Sequence, residues 1–176
     1  MKKLIIPLLI TGAVVYLYVS RSHKSRNPES NDAAQYNDRL VQLQAGVATK
    51  MKVLMNSFKS RNSYEMNTHL QELQQEARHA VEAIGDTPDF MGNTDFRDSM
   101  LELMEYIEGI CSNEFLTMVG ILSDPDGYAS EFEEAQLKDF ENSLDTEGKR
   151  LQEQANQAQL SFARKFNLKI QPNPIF

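Results

Sequence analysis

The chain has 176 residues, 25 of them acidic and 18 basic, with a single cysteine. Residues 1–26 hold five Lys or Arg and no acid, so the remaining 150 residues carry a formal charge of −12. A body that acidic repels phosphate backbones and argues against a nucleic-acid partner, and a lone cysteine excludes an internal disulfide framework.

Leu4 to Val19 (LIIPLLITGAVVYLYV) is the only unbroken apolar run, and Lys2 and Lys3 precede it. A spanning helix takes roughly 20 apolar residues, with a working range of about 17 to 25, so this run sits at the short edge. A secretory signal would need small residues around a cleavage site. A cut after Ser20 puts bulky Tyr18 at the −3 position, and the alternative, Ser20-Arg21-Ser22, has arginine at its centre. No cysteine follows that could carry a lipid. The expectation is therefore a retained signal anchor, a transmembrane helix at 1–20 that contacts the membrane through residues 4–20. A short N-terminal tail with two lysines starts as an export signal does, which directs the rest of the chain outside the cytoplasm. Residues 21–31 (RSHKSRNPESN) read as a polar juxtamembrane linker, broken by Pro28.

Apolar residues then recur at spacings of three and four, the rhythm of an amphipathic helix. Tyr36, Leu40, Leu43, Val47, Met51, Leu54 and Phe58 mark a first helix, capped by Asn31 or Asp32 and ended by the polar turn Ser60–Ser63. Met66, Leu70, Leu73, Ala77, Val81 and Ile84 mark a second, with Gly85 as its stop. After a loop holding Pro88 and Gly92, a third begins at Thr94 or Asp95 and runs through Phe96, Met100, Leu103, Met104, Ile107, Ile110 and Met118 to Leu122. Ser123–Gly127 forms a turn. The fourth is expected from about Tyr128 to Arg164, with Phe132, Leu137, Phe140, Leu144, Leu151, Ala158 and Phe162 inward. Short connections between long helices imply an all-α chain: a membrane-anchor helix, then an antiparallel up-down four-helix bundle over 32–168 and a non-helical tail at 169–176.

Candidate chemistry is sparse. On the second helix His69, Glu72, Glu76 and His79 fall within an arc of about 80°, and Glu76-x-x-His79 has the spacing used in di-iron bundles. A second such helix is missing, because the only other histidine is His23, and the arc lies to the side of the apolar stripe. It reads as a polar helix flank. The clusters Glu102-Glu105-Glu108 and Glu131-Glu133-Glu134 read as outer helix faces rather than acid–base pairs. Asp124-Pro125-Asp126-Gly127 lacks the further ligands of a calcium loop. Met51, Met55, Met66, Met91, Met100, Met104 and Met118 are read as core filling, and Cys111 as a small buried hydrophobe.

Several short pieces carry a resemblance: Tyr36-Asn37-Asp38 with Gln44, Gly85-Asp86 with Asp95-Phe96-Arg97, and Gln159-x-x-Phe162-Ala163-Arg164-Lys165-Phe166-Asn167. In these the chain resembles a bacterial surface, lipoprotein-like family with an exported four-helix domain and no assigned activity. The resemblance implies an envelope location. The missing lipidated cysteine departs from the lipoprotein pattern and leaves the apolar run as the anchor. The function expected is a non-enzymatic, membrane-anchored interaction or structural module of a bacterial envelope, without a cofactor, whose partner is a protein or a second copy. The competing expectation is a ligand or metal carrier built on the second helix.

Overall fold

A computed structural model describes residues 17–19, 28–124 and 130–172. Six α-helices follow one another: α1 (Pro28–Ser57), α2 (Ser63–Gly85), α3 (Asp95–Ser112), α4 (Glu114–Leu122), α5 (Glu131–Ser143) and α6 (Lys149–Lys165). They assemble into four rods, because α4 continues α3 and a π turn at Leu144–Gly148 joins α5 to α6. The described body is therefore an all-helical bundle.

Contacts between the rods run in opposite directions along the chain. Lys50 meets Glu72 while Gly46 meets Glu76. Gln74 bonds Cys111 while Arg78 reaches Glu108. Gln159 bonds Asn37 while Gln152 bonds Gln44. In each pair one index rises as the other falls, which is antiparallel packing all the way round. The apolar stripes meet in one core that includes Leu40, Leu54, Leu73, Met104, Phe115 and Phe162.

Local chemistry sets the ends. Asn62 caps α2, its Oδ1 accepting from the backbone N–H groups of Tyr64 and Glu65 at 3.0 and 3.3 Å, and Ser130 forms a capping box with Glu133 at the start of α5. At the end of α6, Asn167 takes a left-handed φ of 55° and the Leu168 N–H donates to the Ala163 carbonyl at 2.8 Å. That is the Schellman closure, with asparagine where glycine is commonest.

Several expectations need correction. The expected anchor helix at 1–20 lies largely outside the described residues. Its described part, Leu17–Val19, is a strand, β1, paired antiparallel with β2 (Ile170–Pro172) of the expected tail. No helix among the described residues is long and apolar enough to cross a membrane. The linker at 21–31 is shorter than expected because α1 already starts at Pro28, where a fixed φ and a missing N–H suit the first helical position. The third rod breaks at Asn113, whose backbone leaves helical values (φ −120°, ψ −73°) while its side chain donates to the Gly109 carbonyl at 3.0 Å. Such local side-chain bonds compete with the helix ladder. Phe132 is 72 % exposed rather than inward; it stands five positions before Leu137, off the rhythm that aligns Leu137, Phe140 and Leu144.

The chain direction gives the bundle two unlike ends. The start of α1, the end of α2, the start of α3 and the end of α6 share one end with the β1–β2 pair. The end of α1, the start of α2, α4 and the start of α5 form the other.

Candidate functional site

The polar arc on α2 faces the flank of α1. Glu72 Oε2 accepts from Lys50 Nζ at 2.9 Å, and that bond holds its carboxyl below the usual range. His69 Nδ1 lies 3.7 Å from the same oxygen, with no hydrogen-bond partner among the described residues. The Glu76 carboxylate folds over Gly46 and occupies the space an added Cβ would take. His79 is exposed. The arc thus brings His69 and Glu72 together but ties Glu72 to a lysine and turns Glu76 onto the neighbouring helix. Among the described residues no group of three or more His, Cys, Asp or Glu is placed to hold a metal ion.

The acidic clusters divide similarly. Glu102 accepts from Arg150 at 3.4 Å and from Gln154 at 2.7 Å, clamping α3 to α6. Glu108 pairs with Arg78 at 3.5 Å, and Glu133 closes the cap on Ser130. Glu105, Glu131 and Glu134 are exposed. Asp124 is exposed, and residues 125–129 lie outside the described set. Met55, Met66, Met100, Met104 and Met118 are buried, Met51 is partly buried, and Met91 stands 64 % exposed in a turn. Cys111 is buried, and loss of solvent pushes its thiol up to about 12.

Two features were not legible in the apolar stripes. The first is a buried polar ladder between α1 and α6. Gln159 Nε2 donates to Asn37 Oδ1 at 2.8 Å, and Gln44 Nε2 donates to Gln152 Oε1 at 3.2 Å. The rungs are a heptad apart on both helices, so they fix the mutual register, the best-attested use of buried polar groups. Beside the first rung Tyr36, Phe90, Phe96, Phe162 and Phe166 form an aromatic cluster with ring centroids 4.7 to 5.6 Å apart. Burial raises the Tyr36 hydroxyl above its ordinary value, against the opposing pull of Arg97. A polar residue standing in an apolar stripe, as Asn37 does just ahead of Leu40, was the signal available.

The second feature is a cleft of about 360 Å³ between α4 and α5, opened where the third rod breaks. Its apolar lining is Met118, Ile121, Leu137 and Phe140, and its polar lining includes Glu114, Thr117 and Asp139. Glu114 places Oε2 out of solvent with no hydrogen-bond partner among the described residues. Sequence periodicity carried Ile110 through Leu122 as one continuous stripe and so hid this cleft. Comparison with protein-family models, curated proteins and solved structures finds no match to this chain.

Proposed function

We propose that this chain is a non-enzymatic helical interaction module of a bacterial envelope, tethered to the membrane by its N-terminal apolar segment. The observation that carries this reading is the polarity of the molecule. Its N- and C-terminal strands meet at one end, whereas Val53, Tyr64, Leu116 and Phe132, four of the five large apolar side chains exposed among the described residues, lie in the other half. A tether at one end and exposed apolar groups at the other is the layout of a protein that is held in place and binds something. The apolar run behind Lys2 and Lys3 and the resemblance to an envelope family support the tether.

The β1 strand constrains the form of that tether. With Leu17–Val19 in a strand, Leu4–Tyr16 is what remains of the run, and 13 residues taken as helix would measure about 20 Å against a hydrocarbon core of about 30 Å. A tether of that length would cross the bilayer only with β1 released from β2.

The test is membrane fractionation of the full chain with alkaline carbonate washing, the mass of the mature protein, and a topology reporter after Phe176. Retention at full mass with the reporter active only outside the cytoplasm is expected. Release by carbonate, loss of the first 20 residues, or a cytoplasmic reporter would overturn the tether.

A further inference from the structure

We infer that the cleft between α4 and α5 is the docking groove for a basic amphipathic helix of another protein. The inference rests on the reading of the chain as an interaction module and assigns that module its surface and the chemistry of its partner.

Shape comes first. The cleft lies between two roughly antiparallel helices, and a third helix laid along such a groove packs ridge into groove. Its volume of about 360 Å³ is at the small end of the roughly 300–1,000 Å³ range of ligand pockets, which suits apolar side-chain anchors better than a cofactor. Met118, Ile121, Leu137 and Phe140 supply the apolar contact. Phe132 (72 % exposed) extends apolar surface along the groove-facing side of α5.

Charge then selects the occupant. Residues 113–143 hold eight acids against one base, Lys138, a net charge of −7 that equals the net charge of the whole chain. Glu114 and Asp139 sit in the lining. Glu114, with one oxygen shielded from water and lacking a donor, gains from a Lys or Arg that no neighbouring residue supplies. A cationic group brought to a partly desolvated carboxylate gives a charge-assisted hydrogen bond, stronger than a neutral one. The same field repels the matching face of a second copy, an anionic lipid surface and a nucleic acid. The occupant that satisfies both floor and rim is a helix with apolar residues on one stripe and Lys or Arg beside it. The groove lies in the half of the bundle away from the paired termini, so a tethered chain presents it outward.

The experiment uses the full chain in a neutral detergent and a synthetic Leu/Lys peptide of about 18 residues, five helical turns, with a Leu/Glu peptide of the same pattern as control. Fluorescence anisotropy should show the Leu/Lys peptide binding and its twin not binding. Glu114→Gln should weaken binding about tenfold, as loss of one partly desolvated ionic partner does, and Thr117→Arg, at an exposed position in the lining, should weaken it at least as much. Glu82→Gln, an exposed acid on α2, should leave it unchanged. Photo-cross-linking from position 136, exposed in the lining, should capture the peptide, and cross-linking from position 53 should not. Equal weakening by Glu82→Gln, capture from position 53, or binding of the acidic twin overturns the groove assignment. So does a concentration-dependent dimer by sedimentation that Thr117→Arg abolishes, which would make a second copy the occupant. Circular dichroism identifies a misfolded variant, and Thr117→Arg decides the matter if Glu114→Gln does not fold. Failure here with membrane retention intact removes the groove and leaves the module reading; release from membranes with the peptide result intact does the reverse.

Discussion

The Tyr106 hydroxyl donates to the Ser143 carbonyl across 3.4 Å, joining α3 to the last residue before the π turn. A π turn leaves a carbonyl outside the ordinary helix ladder, and Tyr106 sits where it can partner one. Gly148, at the far side of the same turn, has helical backbone angles, and a Cβ there would lie 3.5 Å from Tyr106 Cε1, an ordinary contact. Two outcomes follow. Tyr106→Phe should cost about 1 kcal/mol, the net worth of one hydrogen bond. Gly148→Ala should instead add about 0.5–1 kcal/mol, since alanine is the better helix former and nothing obstructs it. Urea titrations of both variants measure the two signs.

Asn37 and Gln159 are 0 % and 2 % exposed, so the bond between them is made out of water. Asn37→Ala should cost about 1 kcal/mol, the net worth of one buried hydrogen bond. The double variant Asn37→Leu/Gln159→Leu should recover most of that loss. It should also loosen the register between α1 and α6, visible as broadened amide resonances along both helices. A double variant as unstable as the single one would argue against a register role.

Phe162 contacts the rings of Tyr36, Phe90, Phe96 and Phe166 and is 1 % exposed. Phe162→Ala removes the hub of that cluster, with an expected loss of about 3–5 kcal/mol. Thermal melting should show a large downward shift. Phe132→Ala, by contrast, should move the melting temperature by less than about 2 °C, because a surface change stays within roughly 0.5 kcal/mol.

Met91 and Gly92 both have positive φ, 53° and 74°, between the bridge partners Phe90 and Asn93. Two left-handed residues in a tight reversal make the type I′ turn, for which Asn-Gly is preferred. Methionine is a poor choice for the first position. Met91→Asn should stabilise the fold by about 0.5–1 kcal/mol, measured as a higher urea midpoint at unchanged slope.

Burial raises Cys111 to about 12 and raises Tyr36 and Tyr106 as well. The folded chain therefore keeps protons that the unfolded chain releases, and stability falls as pH climbs. The contribution is intact below about pH 8.5, the ordinary thiol value, and is lost through the interval up to about 12. A chemical-denaturation series from pH 7 to 11 should show that decline, reduced in Tyr36→Phe and Tyr106→Phe. At pH 8 a thiol reagent should label Cys111 only at the rate of unfolding.

The four rods were legible because alternating spacings of three and four are imposed by helix geometry and survive any detail of packing. Gly85, Ser123 and the end of α6 were legible for similar local reasons. Breaks within rods were not. Asn113 interrupts an apolar stripe that continues in phase on both sides, and the π turn at Leu144–Gly148 leaves no composition signal beyond Gly148. The β1–β2 pair escaped because it joins segments at opposite ends of the chain, one of them inside an apolar run that reads as helix. The polar ladder was half visible: Asn37 and Gln44 could be seen in the stripe of α1, but only assembly shows Gln159 and Gln152 opposite them.

The meeting of the first and last elements at one end also sets a timetable for the newborn chain. The α1–α2 hairpin can pack once about 85 residues have emerged, whereas Asn37 must wait for a partner 122 positions later. At synthesis rates of about 5–20 residues per second, that wait is roughly 6 to 24 s. Throughout it Tyr36 and Asn37 lack Phe162 and Gln159, so the nascent chain carries an open aromatic seam at that end of the bundle. That interval, rather than the finished fold, is when the polypeptide most needs a chaperone.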